Sequence, residues 1–208
     1  MKLSELSIEK YMDNLSSDSP APGGGSAAAL CGAQGASLAA MVAGLTIGKK
    51  KYEAQQIFCL EARERALALS KKLTVQIDLD TEAFNKVSAA FKLPKESEED
   101  KAARRRAIAA ATLEATRVPF GTMELALECL KLAKELVGNS NASAVSDLGV
   151  AALNLLCCLK GAWLNVLINL EGIGDENEAR GFSQNGEAIV AEGENIANGI
   201  YEAVAKAL

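Results

Sequence analysis

Residues 20–52 decide the fold: Pro20-Ala-Pro-Gly-Gly-Gly-Ser26 runs into an Ala/Gly-rich segment that ends Gly48-Lys-Lys-Lys-Tyr52. Proline followed by three glycines leaves a backbone free to turn sharply and to approach a ligand closely. Ser26 then offers the hydroxyl of a helix N-cap. From there Ala28, Gly32, Ala36, Ala40 and Gly44 recur every fourth residue, placing minimal side chains on one helical face. A neighbouring helix can approach such a face closely, so the segment reads as a central helix. Its two ends, free amides at one and a lysine cluster at the other, both suit anions.

Composition points the same way. Hydrophobic residues make up 49% of the chain but aromatics only 4%, a balance that favours close-packed helices over strands. The net charge of -5 argues against a general nucleic-acid binder. Cysteines 31, 59, 129, 157 and 158 lack metal-ligand spacing, and the first residues lack the apolar core of a signal peptide. A reducing cytoplasm is the expected compartment. The chain contains no histidine, which excludes a histidine general base, a Ser-His-Asp triad and histidine–metal chemistry. Acid–base work falls to carboxylates, Lys, Cys or Tyr.

Working outward, Ser7 caps a short helix with Ile8, Tyr11, Met12 and Leu15 on one face. The uncharged stretch Ala27–Ile47 has the length of a membrane span, but its Ala, Gly and Ser content makes it weakly hydrophobic, and it reads as a buried helix. Between Gly48 and Pro94 one or two long helices carry the stripe Leu69, Leu73, Ile77, Asp80, Phe84, Val87, Phe91. A helix from about Glu98 to Arg117 is expected to be interrupted or kinked at Pro119 and Gly121. Another helix runs from Thr122 to Val137. After a loop at 138–142, Ser146 or Asp147 caps a helix to Leu170, and a last helix covers roughly Asp175 to Ala205. The expected architecture is an all-α, single-domain bundle of long helices spanning residues 1–208.

Asp80 is the first chemical candidate. A carboxylate inside an apolar seam is costly to bury unless paired or put to use, so it is either a structural ion-pair partner or a proton carrier with a raised pKa. Asp78, two residues away, faces another side and reads as solvated, so the two form no dyad. Gly23, Gly24, Gly25 and Ser26 are candidates for binding a polar ring edge or carboxylate. Lys49, Lys50, Lys51 and Tyr52 offer a cationic anchor, or simply complement the helix dipole. Asn165 and Asn169, one turn apart in an apolar helix, either bridge helices or read donors and acceptors on a ligand.

The PAPGGGS and KKKY motifs, with Asp78-Leu-Asp80-Thr-Glu-Ala-Phe84, Leu93-Pro94-Lys95, Ser146-Asp147-Leu148 and Asn165-Val-Leu-Ile-Asn169-Leu170, resemble the cyclodeaminase family of folate enzymes. That family comprises the C-terminal half of formiminotransferase-cyclodeaminase and stand-alone methenyltetrahydrofolate cyclohydrolases. The resemblance covers nearly the whole chain. It implies that Asp80 is the proton donor and acceptor, with a tetrahydrofolate derivative, possibly polyglutamylated, as substrate. It further implies a homodimer, with no cofactor or metal beyond that substrate, no nucleic acid and no membrane. The formiminotetrahydrofolate cyclodeaminase reaction comes first and the cyclohydrolase second. A non-catalytic helical dimerisation module is the third reading.

Overall fold

The computed structural model describes residues 2–208 and contains, among them, six α-helices and no strand. They are α1 (Ile8–Leu15), α2 (Gly24–Gly44), α3 (Gln56–Phe91), α4 (Glu98–Leu136), α5 (Val145–Leu170) and α6 (Glu176–Ala207). The all-α expectation holds, and α2 lies at the centre with α3 and α5 packed along it.

Small residues set that packing. A Cβ on Gly32 would stand 2.6 Å from the Cys158 sulfur, and one on Gly35 would stand 2.6 Å from Leu155 Cγ. On α5, Gly161 would bring its own Cβ to 3.0 Å from that of Ala28. α2 and α5 therefore approach closer than larger side chains permit, which forces α5 to present its next turn, Asn165, beside the start of α2. The expected small face is buried at Ala28, Gly32, Ala36 and Ala40 and partly covered at Gly44. Burial between two helices accounts for an apolar α2 that by length and composition could cross a membrane.

Three boundaries differ from expectation. α2 begins at Gly24 with Gly23 as its cap residue, so Ser26 sits inside the first turn and caps nothing. Ser146 and Asp147 likewise lie within the first turn of α5, because a 3-10 turn at Ala142–Ala144 precedes it. The third is α4, a single helix that continues through Pro119 without interruption. Proline cannot donate to the carbonyl four residues back, which here is Ala115. The Asn169 amide nitrogen on α5 donates to that same carbonyl at 3.0 Å, restoring from a neighbouring helix the bond that proline removes. Elsewhere the ends fall as read: Ser7 caps α1, Asp175 caps α6, and α3 stops just before Leu93-Pro94.

Asp78 corrects the sequence reading. It is buried rather than solvated. Its carboxylate accepts from the Leu3 amide at 2.6 Å and from the Ser4 amide and hydroxyl. It thus anchors the N-terminal segment to α3, on the opposite side from Asp80. α1 then leads into the loop that brings Pro20 and Ala21 to the site.

Candidate active site

Asp80 divides the stripe on α3. Leu69, Leu73 and Ile77 before it are core residues, whereas Phe84 and Phe91 beyond it are exposed. The seam opens there because α2 has ended: its first turn lies against Asp80 and nothing of it extends further. A cleft of about 310 Å³ forms in the gap, near the lower end of small-molecule pockets. The Pro20–Gly25 turn, Asp80, Thr81 and Phe84 border it on one side, and Asn165, Ile168 and Asn169 on the other.

The carboxyl of Asp80 rests directly on Gly25. A Cβ there would lie 2.0 Å from Oδ1 and 2.5 Å from Cγ, so the space above that glycine is occupied by the acid itself. Ser26, fully buried, points its hydroxyl between helices. It lies 2.8 Å from the Ile77 carbonyl, 3.1 Å from Asp80 Oδ2 and 3.1 Å from the Thr81 hydroxyl. Burial pushes the Asp80 carboxyl above its ordinary pKa, and the Ser26 hydroxyl and amide partly oppose the shift by bonding to the charged form. Among the described residues, no charged side chain contributes to that shift. The structural alternative raised by the sequence, an ion pair, finds no cation for Asp80 among the described residues.

The two asparagines play different parts. Asn165 donates to the Gly161 carbonyl at 2.8 Å and lines the cleft beside Gly24. Asn169 donates to both the Ala115 and Asn165 carbonyls, so it bridges α4 and α5 as well as facing the cleft. Asn169 spends both N–H donors on protein carbonyls and leaves its amide oxygen for a ligand, whereas Asn165 spends one and keeps a donor as well as its oxygen.

Lys49, Lys50, Lys51 and Tyr52 do not join this cleft. They follow the far end of α2, about 30 Å from Asp80 at 1.5 Å per residue. There the Tyr52 hydroxyl accepts from the Ala142 amide at 3.0 Å, and the Lys51 ammonium stands over the Tyr52 ring. Gly48, at φ 77, and Gln56 complete that corner. The residue the sequence reading missed is Thr81. As the neighbour of Asp80 on a helix it carried no periodic signal, and only the tertiary contact with Ser26 brings it into the site.

The model of the family described as formiminotransferase-cyclodeaminase matches residues 7–187. The chain belongs to the formiminotransferase-cyclodeaminase family. Within that family it is 40% identical to the methenyltetrahydrofolate cyclohydrolase of Methylorubrum extorquens, and the match spans 95% of each chain. It is 37% identical to the formimidoyltransferase-cyclodeaminase of Sus scrofa over 81% of its own length, but spans only 31% of that longer protein. Among solved structures, the formiminotetrahydrofolate cyclodeaminase of Thermotoga maritima superposes with a TM-score of 0.82 at 30% identity, covering 100% of this chain and 98% of that one.

Proposed function

We propose that this family member is a methenyltetrahydrofolate cyclohydrolase, with Asp80 as its proton carrier. The observation behind it is a half-buried carboxyl, with no cation beside it among the described residues, facing a cleft of ligand size. In the hydrolysis, water attacks the cationic methenyl carbon between N5 and N10 and Asp80 takes a proton from it. Asp80 then gives a proton to N5 as the C–N5 bond breaks and the new hydroxyl loses its own, leaving 10-formyltetrahydrofolate. One water is consumed and one proton released. A group that is first base and then acid works best with a pKa near the operating pH, and burial moves Asp80 in that direction.

The order of the two folate reactions is the reverse of that read from the sequence. End-to-end similarity to the Methylorubrum cyclohydrolase favours hydrolysis. The cyclodeaminase reading stays second on the strength of the Thermotoga structure, which matches over nearly its full length and carries the cyclodeaminase name. There N10 would attack the formimino carbon and ammonia would leave, again with one proton taken and one returned. Methenyltetrahydrofolate absorbance separates the two. We expect catalysed decay of that signal with methenyltetrahydrofolate alone. Appearance of the signal with ammonia from the formimino substrate, without accelerated decay, would overturn the order.

A homodimer belongs to the same proposal. Exposed Met41, Leu45 and Leu67 line a shallow groove on α2 and α3, an apolar surface suited to a second copy. Light scattering should give twice the chain mass; a monomer at assay concentration would contradict it.

A further inference from the structure

Four of the other five threonines share a hydrogen bond that Thr81 lacks, Thr112 being the exception among them. Thr46, Thr74, Thr116 and Thr122 each donate their hydroxyl to the carbonyl four residues back. For Thr81 that carbonyl is Ile77, and it accepts from Ser26 instead, at 2.8 Å. The Thr81 hydroxyl turns across to α2 and meets Ser26 Oγ at 3.1 Å.

Ser26 thus has three oxygen neighbours and a single proton to give. When Asp80 is ionised, Ser26 donates to Oδ2, and Thr81 supplies the donor that Ser26 Oγ can still accept. For protonated Asp80, the Ile77 carbonyl at 2.8 Å is the alternative acceptor of the Ser26 proton, which would leave Asp80 free to give its own away. That carbonyl belongs to the α3 ladder, where the helix provides a backbone donor, so losing the Ser26 bond leaves it paired. Bonds in such a chain polarise one another.

We infer that Thr81 is a positioning residue that acts through Ser26: its hydroxyl orients the one Ser26 proton towards ionised Asp80, and so sets how readily the acid releases and recaptures its own. The inference rests on Asp80 as the proton carrier of the proposed reaction, but it concerns the free protein.

The surroundings leave few competing titrations. From α1, Tyr11 is the group whose own ionisation senses the Asp80 charge. α2 contributes uncharged residues, α4 contributes Ala115, and α5 contributes Asn165 and Asn169. On α3 itself, Asp78 is bound to Leu3 and Ser4, Glu82 is exposed, and Lys86 pairs with Glu114.

The test is a pH titration of side-chain carboxyls by 13C NMR without substrate, with Asp80→Asn identifying the Asp80 resonance. In Thr81→Val the Asp80 pKa should rise by about half to one pH unit, the scale of a weakened hydrogen bond to a charged acceptor. Thr81→Ser should restore the wild-type value. Thr81→Ala, also without a hydroxyl, should reproduce the rise and serves if the valine variant does not fold. An unchanged Asp80 pKa in a folded hydroxyl-free variant, or a rise that serine does not reverse, would overturn the inference. Because no substrate is present, the result is independent of which folate reaction is catalysed.

Discussion

Replacing Asp80 with asparagine is expected to lower kcat at least ~100-fold, the scale of a lost positioned proton transfer, while making the protein more stable at neutral pH. Both effects share one cause. Burial raises the Asp80 pKa in the folded state, so the folded protein holds this proton more tightly than the unfolded chain does. The stability linked to that proton is fully present below the unfolded carboxylate pKa and is lost as pH rises through the higher folded value. Asparagine never ionises. The melting temperatures of the two proteins should therefore converge in acid and separate in favour of the variant as pH rises through the folded Asp80 pKa. Such an exchange of stability for function is common at sites that hold a costly group. Calorimetry across pH beside steady-state turnover checks both halves. Near-normal turnover would remove Asp80 from the mechanism, and an asparagine variant less stable at neutral pH would mean that the carboxylate is a structural partner after all.

Gly25→Ala should be almost as damaging, for a steric reason. The new Cβ would occupy the place of the acid, 2.0 Å from Oδ1 and 2.7 Å from Oδ2. Asp80 ends in a short side chain that can rotate away, and alanine is better than glycine inside a helix by roughly 1 kcal/mol, so the fold should survive. The carboxyl should not keep its position. A displacement of about 1 Å at a reacting group costs on the order of 100-fold, and that is the loss of kcat expected. Gly24→Ala is the matched control: its Cβ meets only the Asn165 amide nitrogen, at 3.7 Å, an ordinary contact, and Asp80 should stay in place. Equal activity in the two variants would show that the first turn of α2 does not position the acid.

Much of this was legible before any coordinates. The four-residue recurrence of small residues located the central helix, because close approach leaves a compositional trace. Asp80 stood out because a charge interrupts an otherwise apolar stripe. Other features have no such trace. Ser26 looks like a cap because it follows three glycines, but the glycines start the helix and the hydroxyl turns instead to α3, 54 residues away. Pro119 reads as a break because nothing near it in sequence shows that Asn169, 54 residues beyond the Ala115 carbonyl, supplies the missing donor. Lys49–Tyr52 and the glycine turn adjoin one segment in sequence, yet the 21-residue helix α2 holds its two ends apart.

The central claim is that a partly desolvated Asp80 carries the proton in turnover, and it is tested most directly by comparing two pH titrations of the wild-type protein. One follows the Asp80 carboxyl by NMR; the other follows kcat/KM for methenyltetrahydrofolate hydrolysis. The limb of the rate profile that requires ionised Asp80 should coincide with the NMR midpoint, and both should lie above the ordinary aspartate value of about 3.9. A carboxyl titrating at that ordinary value, or a rate profile that ignores the Asp80 midpoint, would contradict it.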